Sequence, residues 1–469
     1  MRRTLDFTLN GERVSLDGED PTRTVLSWLR EARALTGTKE GCAEGDCGAC
    51  TVVLAEHDRD GRLRHAPVNA CILCLGALDG KELITVEGLK HAGALHPVQQ
   101  AMAQCHGSQC GFCTPGFVMA LYAHHKEKRP LERGALCDAI AGNLCRCTGY
   151  RPILEAGERA GAALDAQQGR SEDEARSRRL LALPVAPALF ETGCKRFFVP
   201  ATAAELGAFL AEHPQATILA GGTDIGLWIT KQHRDLEAVA YTGRVCELKN
   251  LVETEKTVEI GAALTYAEAF PALAAIHPDI GELLRRLGAV QVRSSGTLAG
   301  NIANASPIGD SMPVLLALDA VLVLQQRESV RELKISAFYT GYRKTLLRPG
   351  EFIRAVRIPK LQPGARFAAY KLTKRFDQDI SAVCAAFHVD ASARARFGFG
   401  GMAATPARAP SAEKAYEQGI DAACAALAED FAPLSDHRAS AWYRLAAAQN
   451  LLRKFHARIG PRALLELEA

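Results

Sequence analysis

The sequence predicts an α+β chain of several domains. At 469 residues it exceeds one ordinary domain, and its length suggests roughly three or four. Two patterns indicate the fold class: apolar and polar residues alternate at the N-terminus as in β-strands, whereas residues 87–165 carry helix start signals. Hydrophobic residues make up 48% of the chain, which is enough for sizeable buried cores.

The composition indicates the cellular compartment of the protein and the classes of partner to expect. Its net charge of +3 gives no reason to expect a nucleic-acid partner. Arg2 and Arg3 are not followed by the apolar stretch of an export signal, and no apolar run approaches the roughly 18 residues that span a bilayer. Fifteen cysteines without an export signal indicate a reducing compartment, where thiols bind metals. We therefore expect a cytoplasmic protein without membrane contact.

The first domain is predicted over residues 1–86 and has a strand-rich pattern. Alternating residues at 5–9 and 14–16 flank Asn10-Gly11, which is a type I′ hairpin signal. Further elements are expected at residues 24–33 (helix), 51–54 and 83–86 (strands). This pattern predicts a small β-grasp domain of the ferredoxin type.

A glycine-rich stretch with three cysteines, followed by a distant fourth, is the most specific motif of this domain. The spacing C-x4-C-x2-C is that of plant-type 2Fe-2S ferredoxins. Gly41, Gly45 and Gly48 permit positive φ angles and close approach of backbone N–H groups to sulfur. A disulfide framework and a zinc site are the alternatives, although zinc usually prefers paired C-x2-C knuckles. The candidate ligands are Cys42, Cys47, Cys50 and Cys71.

The second domain, residues 87–165, is predicted to be a four-helix bundle. Helices are expected at residues 97–106, 114–126, 131–142 and from 152 onward, and prolines supply three of the starts. Two cysteine pairs lie between successive helices, so that four thiols can converge at one end and match a second 2Fe-2S cluster; structural zinc is the alternative. These candidate ligands are Cys110, Cys113, Cys145 and Cys147.

Three segments resemble the iron–sulfur signatures of one family, the xanthine dehydrogenase family of molybdenum hydroxylases. They are Gly41–Cys50, Gln109–Gly116 and Gly142–Pro152. The resemblance covers essentially the whole chain and implies the small iron–sulfur and FAD-binding subunit of a bacterial member. Composition predicts an exposed linker at residues 166–190. The resemblance then implies an FAD-binding domain of the vanillyl-alcohol-oxidase (PCMH) type at 191–364 and an α+β cap domain at 365–469.

Two loops of small residues support the flavin domain. Gly221-Gly222 directly follows a predicted strand at 217–220, and residues 296–307 form a second such loop. Neither loop is G-x-G-x-x-G, which disfavours a Rossmann fold, and two loops around one diphosphate suit a flavin. For the first loop alone, a tight turn is the alternative. By resemblance, FAD would be bound by Leu219, Ala220, Gly221, Gly222, Thr223, Asp224, Ile225, Leu287, Thr297, Gly300, Asn301, Asn304, Asp310, Tyr342, Ile353 and Lys371.

The resemblance implies an electron-transfer function. A large partner subunit would carry molybdopterin-bound molybdenum and oxidise hypoxanthine or xanthine, so no catalytic residue for that step is expected in this chain. Electrons would then pass to the bundle cluster, the ferredoxin cluster, FAD and finally NAD+, because clusters carry single electrons and flavin converts them to hydride transfer. The expected enzyme is an NAD-dependent xanthine dehydrogenase of purine catabolism, an (αβ)2 heterotetramer.

Two other functions fit the same motifs. One is the same type of subunit in another molybdenum hydroxylase that acts on an N-heterocycle or an aldehyde, since nothing in this chain is expected to contact substrate. The other is a stand-alone NADH-dependent flavin and iron–sulfur reductase that has no molybdenum partner.

Overall fold

The computed structural model describes residues 1–91, 93–164 and 166–458. The chain divides into two compact units: Met1–Cys246 with Gly288–Gly296, and Glu247–Leu287 with Thr297–Ala469. The chain therefore enters the first unit twice. Residues 459–469 of the predicted cap domain lie outside the described residues.

A five-stranded sheet begins the first unit and confirms the β-grasp prediction. Its strands are β1 (Leu5–Leu9), β2 (Glu12–Leu16), β3 (Thr51–His57), β4 (Leu63–Asn69) and β5 (Glu82–Ile84). The order is β2-β1-β5-β3-β4, with β1 and β5 parallel and the other neighbours antiparallel. Asn10 and Gly11 have φ angles of 51° and 90°, as a type I′ turn requires. Strand β4 is an element that the sequence pattern did not predict.

The helix expected at residues 24–33 is a composite. A short α-helix, Val25–Ser27, continues as a π-helix, Trp28–Ala32. Trp28 is buried and packs edge-to-face on Phe7 with 5.4 Å between ring centroids. This contact fixes the segment that leads into the first cysteine loop.

The four predicted bundle helices are present. They are Pro97–Gln104, Thr114–Lys126, Arg133–Ile140 and Arg151–Ala162. Three of them have proline in the first turn, where its missing N–H costs no hydrogen bond. The helix Thr114–Lys126 is buried from Gly116 to His125, so it forms the centre of the bundle.

Residues 166–190, predicted as an exposed linker, begin instead with a helix, Ala166–Leu181. The helix lies against β1 and β3. Arg176 is only 8% exposed, and its Nε donates a hydrogen bond of 3.1 Å to the buried carboxylate of Glu82. Lys126 of the bundle forms an ion pair of 2.6 Å with Asp173. Several of the charges that suggested an exposed segment are therefore partners of charges on the sheet and the bundle.

A second sheet completes the first unit. Its strands are β6 (Ala188–Thr192), β7 (Lys195–Val199), β8 (Thr217–Leu219) and β9 (Ala238–Tyr241), in the order β6-β7-β9-β8. The helices are Ala203–Glu212, Ile225–Thr230 and Val290–Ser295. The first of these helices begins with a capping box of Thr202 and Glu205. The turn after β8 holds the first predicted flavin loop.

The second unit opens with a five-stranded sheet and a hairpin. The strands are β10 (Leu251–Glu253), β11 (Thr257–Gly261), β12 (Val321–Gln326), β13 (Ser329–Lys334), β14 (Tyr339–Gly341), β15 (Lys344–Thr345) and β16 (Phe352–Pro359). The sheet order is β10-β11-β16-β12-β13, and β14 pairs with β15. The helices are Tyr266–Ile276, Pro278–Arg285, Leu298–Ala303 and Ser311–Ala317.

The C-terminal part of this unit has the α+β content that was predicted. Its strands are β17 (Arg366–Leu372), β18 (Val383–Val389), β19 (Ala395–Gly400) and β20 (Ala407–Arg408), paired in that order. The helices are Pro410–Ala415, Ile420–Asp430 and Ala441–His456. Phe387 and Phe455 stack in the core between sheet and helices, with centroids 5.4 Å apart.

Short 3-10 helices occur at Leu75–Leu78, Val86–Leu89, Thr242–Arg244, Cys246–Lys249, Ile335–Ala337 and Tyr416–Gln418. Within the described ranges, no helix has both the length and the hydropathy needed to cross a bilayer.

The Arg176→Ala variant should weaken the packing of the helix Ala166–Leu181 on the sheet. Loss of one charge-assisted hydrogen bond to Glu82 should cost about 1.5 to 3 kcal/mol, since Arg179 still donates to that carboxylate. Urea denaturation should show the earliest transition moved to lower urea. Arg178→Ala, at an exposed position of the same helix, is the matched control and should change stability by less than about 0.5 kcal/mol. Equal losses in the two variants would contradict this account.

Candidate iron–sulfur and flavin sites

The four cysteines predicted to hold the first cluster come together beside the first sheet. Cys42, Cys47 and Cys50 lie in the loop before β3, and Cys71 lies two residues after the end of β4. The backbone N–H groups of Asp46 and Cys47 each donate to the Cys42 sulfur at 3.4 Å. Donors of this kind are the outer contacts that orient and tune cluster sulfurs.

The thiols of this group are close enough to share protons. The pKa of Cys42 is strongly lowered because its sulfur accepts hydrogen bonds from the thiols of Cys47 and Cys71. The pKa values of those two thiols are raised by the same contacts, and for Cys71 also by Cys50 and by burial. Four thiolates at this spacing repel one another, and a cationic iron core relieves that repulsion. The donor set therefore fits a 2Fe-2S cluster.

The loop glycines provide space as well as conformation. Gly45 and Gly48 have φ angles of 79° and 68°, as predicted. Gly41 does not have a positive φ; a Cβ there would lie 2.8 Å from the sulfur of Cys47. A Cβ at Gly48 would overlap the carbonyl oxygen of Gly142. The loop is thus closed against its neighbours so tightly that side chains do not fit.

The other four cysteines converge at one end of the bundle, as predicted. The sulfurs of Cys110 and Cys147 lie 3.7 Å apart, and the thiol of Cys113 lies against that of Cys145. Burial, with Cys145 nearby, raises the pKa of Cys113 to about 12. Although burial opposes it, hydrogen bonds from Thr148 lower the pKa of Cys145.

The spacing of Cys110 and Cys147 fits two thiolates on one tetrahedral metal. Two thiolates on one tetrahedral metal lie about 3.8 Å apart when each metal–sulfur distance is about 2.3 Å, which agrees with the Cys110–Cys147 distance of 3.7 Å. In the part of the chain that the structure describes, no three His, Cys, Asp or Glu side chains are grouped for a single metal ion. A 2Fe-2S cluster needs two thiolates on each iron rather than four around one point.

One backbone hydrogen bond joins the two cysteine groups. The N–H of Leu144 donates to the carbonyl of Cys47 at 3.0 Å. Leu144 directly precedes Cys145, so one hydrogen bond links neighbours of both candidate clusters. Gly116, in the first turn of its helix, comes so close that a Cβ would overlap the carbonyl oxygen of Gly48.

The first predicted flavin loop, residues 219–225, ends β8 and opens the helix Ile225–Thr230. Gly222 has a φ angle of 75°, and a Cβ at Gly221 would overlap the carbonyl of Ser295. The loop is therefore a tight turn, and its backbone also packs closely on the segment 288–296.

The helix after this loop packs on the loop of the first cysteine group. A Cβ at Gly226 would overlap the carbonyl of Ile72, the residue after Cys71. Lys231 Nζ donates to the carbonyl of Cys42 at 2.6 Å, and Thr230 Oγ1 donates to the carbonyl of Ala43 at 2.7 Å.

The remaining predicted flavin residues belong to the second unit. Thr297 Oγ1 accepts from the N–H of Gly300 at 3.0 Å and caps the helix Leu298–Ala303, after which Asn304 follows. The side-chain oxygen of Asn301 accepts from the hydroxyl of Tyr266 at 3.0 Å.

Asp310 and Lys371, both predicted to contact FAD, form a buried ion pair. Lys371 Nζ lies 2.5 Å from Asp310 Oδ2 and also donates to the carbonyl of Arg286 at 2.9 Å. Ser381 donates to the other carboxylate oxygen at 2.5 Å. The structure therefore brings these two predicted residues together.

The other predicted flavin residues are spread over the second unit. Leu287 lies at the boundary of that unit, Ile353 is buried on β16, and Tyr342 is exposed in the β14–β15 hairpin.

Sequence reasoning missed the polar residues that hold the cysteine loops. Asn143 donates through Nδ2 to the carbonyl of Gly48 at 2.9 Å, and Gln291 donates through Nε2 to Asn143 Oδ1 at 2.9 Å. Asn143 stands inside a recognised signature, which was a usable signal. Gln291 gave none, because it lies on a short helix far along the chain.

The Gly48→Ala variant should lose the first cluster. The new Cβ overlaps the Gly142 carbonyl, so we expect iron to fall from about four to about two atoms per chain, and one of two electron paramagnetic resonance (EPR) signals to disappear. Gly61→Ala is the matched control: its φ of 75° is equally strained, but no atom lies within 4 Å of the added Cβ. Full iron content in Gly48→Ala would disprove the steric argument.

Lys371→Met should destabilise the second unit by about 3 to 5 kcal/mol, because it leaves the Asp310 carboxylate buried without its partner. Bound-flavin absorbance after purification should fall with it. Lys334→Met removes an exposed lysine from a 2.8 Å pair with Asp319 and should cost less than about 1 kcal/mol. Urea unfolding of both variants checks the difference, and similar midpoints would contradict it.

Four known domain families match the chain in order. Their descriptions and matched residues are 2Fe-2S iron-sulfur cluster binding domain (7–75), 2Fe-2S binding domain (85–158), FAD binding domain in molybdopterin dehydrogenase (190–361) and CO dehydrogenase flavoprotein C-terminal domain (368–459). Each predicted cofactor motif lies within the corresponding match, and both flavin loops fall within the third.

Similar proteins support the same assignment. The chain is 36% identical to the xanthine dehydrogenase of Emericella nidulans, with 87% of this chain and 35% of that protein covered. It is 32% identical to the xanthine dehydrogenase/oxidase of Rattus norvegicus, with 82% and 33% covered. The chain thus spans about a third of the length of these relatives.

A solved structure shares the fold of about half of the chain. The reconstituted CO dehydrogenase from Oligotropha carboxidovorans has a chain that matches with a TM-score of 0.52 and 29% identity, covering 56% of this chain and 96% of that one. Together with the ordered domains and the relatives, this shows that the chain belongs to the molybdenum hydroxylase family related to xanthine dehydrogenase, and forms its iron–sulfur and FAD-binding part.

Proposed function

We propose that this chain is the electron-transfer subunit of an NAD-dependent xanthine dehydrogenase. A separate molybdopterin-binding subunit would oxidise hypoxanthine or xanthine, and this chain would carry the electrons to NAD+. The names of the similar proteins support the substrate, and their greater length supports a further molybdenum-binding part. Iron–sulfur clusters supply single-electron transfer, and flavin converts pairs of single electrons into hydride transfer.

Eight cysteines would hold the two clusters in this proposal. The first set is Cys42, Cys47, Cys50 and Cys71, and the second is Cys110, Cys113, Cys145 and Cys147. Their contacts with one another support the two sets. For FAD we propose the residues that the resemblance named, all but Lys371 in an FAD domain at 191–364. Because eight thiols must stay reduced to bind iron, we also propose a cytoplasmic location.

The observation that carries the proposed order is the position of the first cysteine loop. On one side, the carbonyl of Cys47 accepts the hydrogen bond from Leu144, next to the bundle cysteines. On another, the carbonyl of Cys42 accepts the hydrogen bond from Lys231, at the end of the helix that follows the flavin loop. A cluster in this loop would therefore be the intermediate electron carrier between the bundle cluster and FAD.

The bundle end is the proposed contact for the molybdenum subunit. Cys110 and Cys147 are exposed, and Phe112 and Leu144 beside them are 48% and 46% exposed. Exposed large apolar side chains next to a redox centre suit a docking surface, since a partner would both cover them and approach the cluster. We propose that the complete enzyme is an (αβ)2 heterotetramer.

A second candidate is the same role in another molybdenum hydroxylase. The solved structure that matches at 29% identity is a CO dehydrogenase, so the fold is not tied to purines.

Purification of a tagged chain from its host decides between the xanthine dehydrogenase and the other molybdenum hydroxylase. We expect a molybdenum-containing subunit to copurify and NADH to form with xanthine or hypoxanthine. Activity only with another heterocycle or an aldehyde would favour the second candidate, and the absence of any partner would favour a stand-alone reductase.

The Cys147→Ala variant tests the order of the relay. Loss of a bundle ligand should reduce purine-driven flavin reduction to background, whereas NADH should still reduce the flavin at the parent rate. Stopped-flow absorbance measures both reactions. Cys137→Ala, also exposed but outside the ligand sets, is the control and should behave as the parent in both. If Cys147→Ala leaves purine-driven reduction intact, the proposed order is wrong.

A further inference from the structure

Residues 288–296 connect the three candidate cofactor regions of the first unit. The carbonyl of Ser294 accepts a hydrogen bond of 3.2 Å from Arg64 on β4. The carbonyl of Ser295 touches Gly221 in the flavin loop. Gln291, on the same short helix, points into the space between the two cysteine loops, where it is only 1% exposed.

The amide of Gln291 closes a buried network of three side chains. Its Nε2 donates to Asn143 Oδ1 at 2.9 Å and to Thr51 Oγ1 at 3.1 Å. Asn143 Nδ2 donates in turn to the carbonyl of Gly48 at 2.9 Å, and Thr51 Oγ1 donates to that same carbonyl at 2.6 Å. Three segments that are remote in sequence therefore meet at one backbone carbonyl, between two ligands of the first candidate cluster.

The network also lies beside the second cysteine group. Asn143 precedes Leu144, whose N–H donates to the carbonyl of Cys47, and Cys145 comes next. A side chain that holds Asn143 therefore holds both ends of the hydrogen bond between the cysteine groups. Fixing Asn143 against Thr51 and Gly48 sets the distance from Cys47 to Cys145.

The orientation of the Gln291 amide is imposed by its surroundings. Its Oε1 is buried and, among the described residues, has no hydrogen-bond partner. This oxygen is pressed against Gly142, where even a Cβ would overlap it. A buried acceptor left without a partner costs about 1 to 3 kcal/mol. The fold tolerates this cost at a position where the two amide protons reach Asn143 and Thr51.

We propose that Gln291 is a positioning residue for electron transfer between the two clusters. Its amide donates to Asn143 and Thr51, and it acts through these two residues, which fix the separation of the two cysteine loops. With both clusters bound, the transfer would move one electron from the reduced cluster to the oxidised one, with no bond formed or broken and no proton required. Because transfer rates fall exponentially with distance, a small loosening of the loops slows the step. This inference rests on the proposed function of the chain as a two-cluster relay.

The test compares Gln291→Leu with Gln325→Leu in the full chain loaded with both clusters and FAD. Gln325 is a buried glutamine of the second unit, whose Nε2 donates to the carbonyl of Arg327 at 2.7 Å, so it controls for loss of a buried amide. In dithionite-reduced samples, EPR should show a weaker magnetic interaction between the clusters in Gln291→Leu alone. After mixing with NADH, reduction of the bundle cluster should slow by at least about tenfold, while reduction of the first cluster keeps the parent rate.

Thr51→Val provides a second variant if Gln291→Leu loses iron or does not fold. It keeps the volume of the side chain and removes the hydroxyl shared by the network, so the same weaker interaction and slower step are expected. Parent-like magnetic interaction and parent-like bundle reduction in iron-replete Gln291→Leu or Thr51→Val would overturn the proposal. Failure of the proposed function is distinguishable, since the parent itself would then lack two cluster signals or would not be reduced by NADH.

Discussion

Thiolates held in contact with one another are unstable as a group unless a cation lies among them. This constraint shapes the first unit, in which two groups of four cysteines meet at short range. Cys50 and Cys71 belong to the apolar core cluster, whereas the part of the loop that carries Cys42 and Cys47 has to be held by other means. In the first loop those means are glycines, which let backbones come together, and buried amides and hydroxyls, which bind the backbone carbonyls that the loop presents.

Buried charges serve a similar purpose elsewhere. Glu82 is covered by arginines of the helix Ala166–Leu181, and Asp310 is covered by Lys371 and Ser381. Pairs of this kind contribute little net stability compared with apolar packing, but they tolerate few alternative arrangements. Each of them joins elements that are distant in sequence. They therefore specify which segments come together, whereas the apolar clusters supply most of the free energy of folding.

Short-range sequence patterns predicted most of the secondary-structure elements. The Asn10-Gly11 turn and the prolines in the first turns of three bundle helices depend on neighbours in sequence, and both predictions were confirmed in the fold. Strand β4 was missed because its polar residues Arg64 and His65 interrupt the apolar alternation, although His65 is buried by contacts with the bundle and the helix 166–181. That helix was missed for the related reason that Arg176 finds its partner far away. Gln291 and the role of Gly41 depend on tertiary packing alone, and one sequence does not display it.

The double entry of the chain into the first unit has a consequence for synthesis. A ribosome makes all eight candidate ligands before it reaches residues 288–296. During that interval, which is on the order of ten seconds at typical elongation rates, Asn143 and Thr51 lack the donor that will join them. The final spacing of the two cysteine loops can therefore be fixed only after residue 291 has been made.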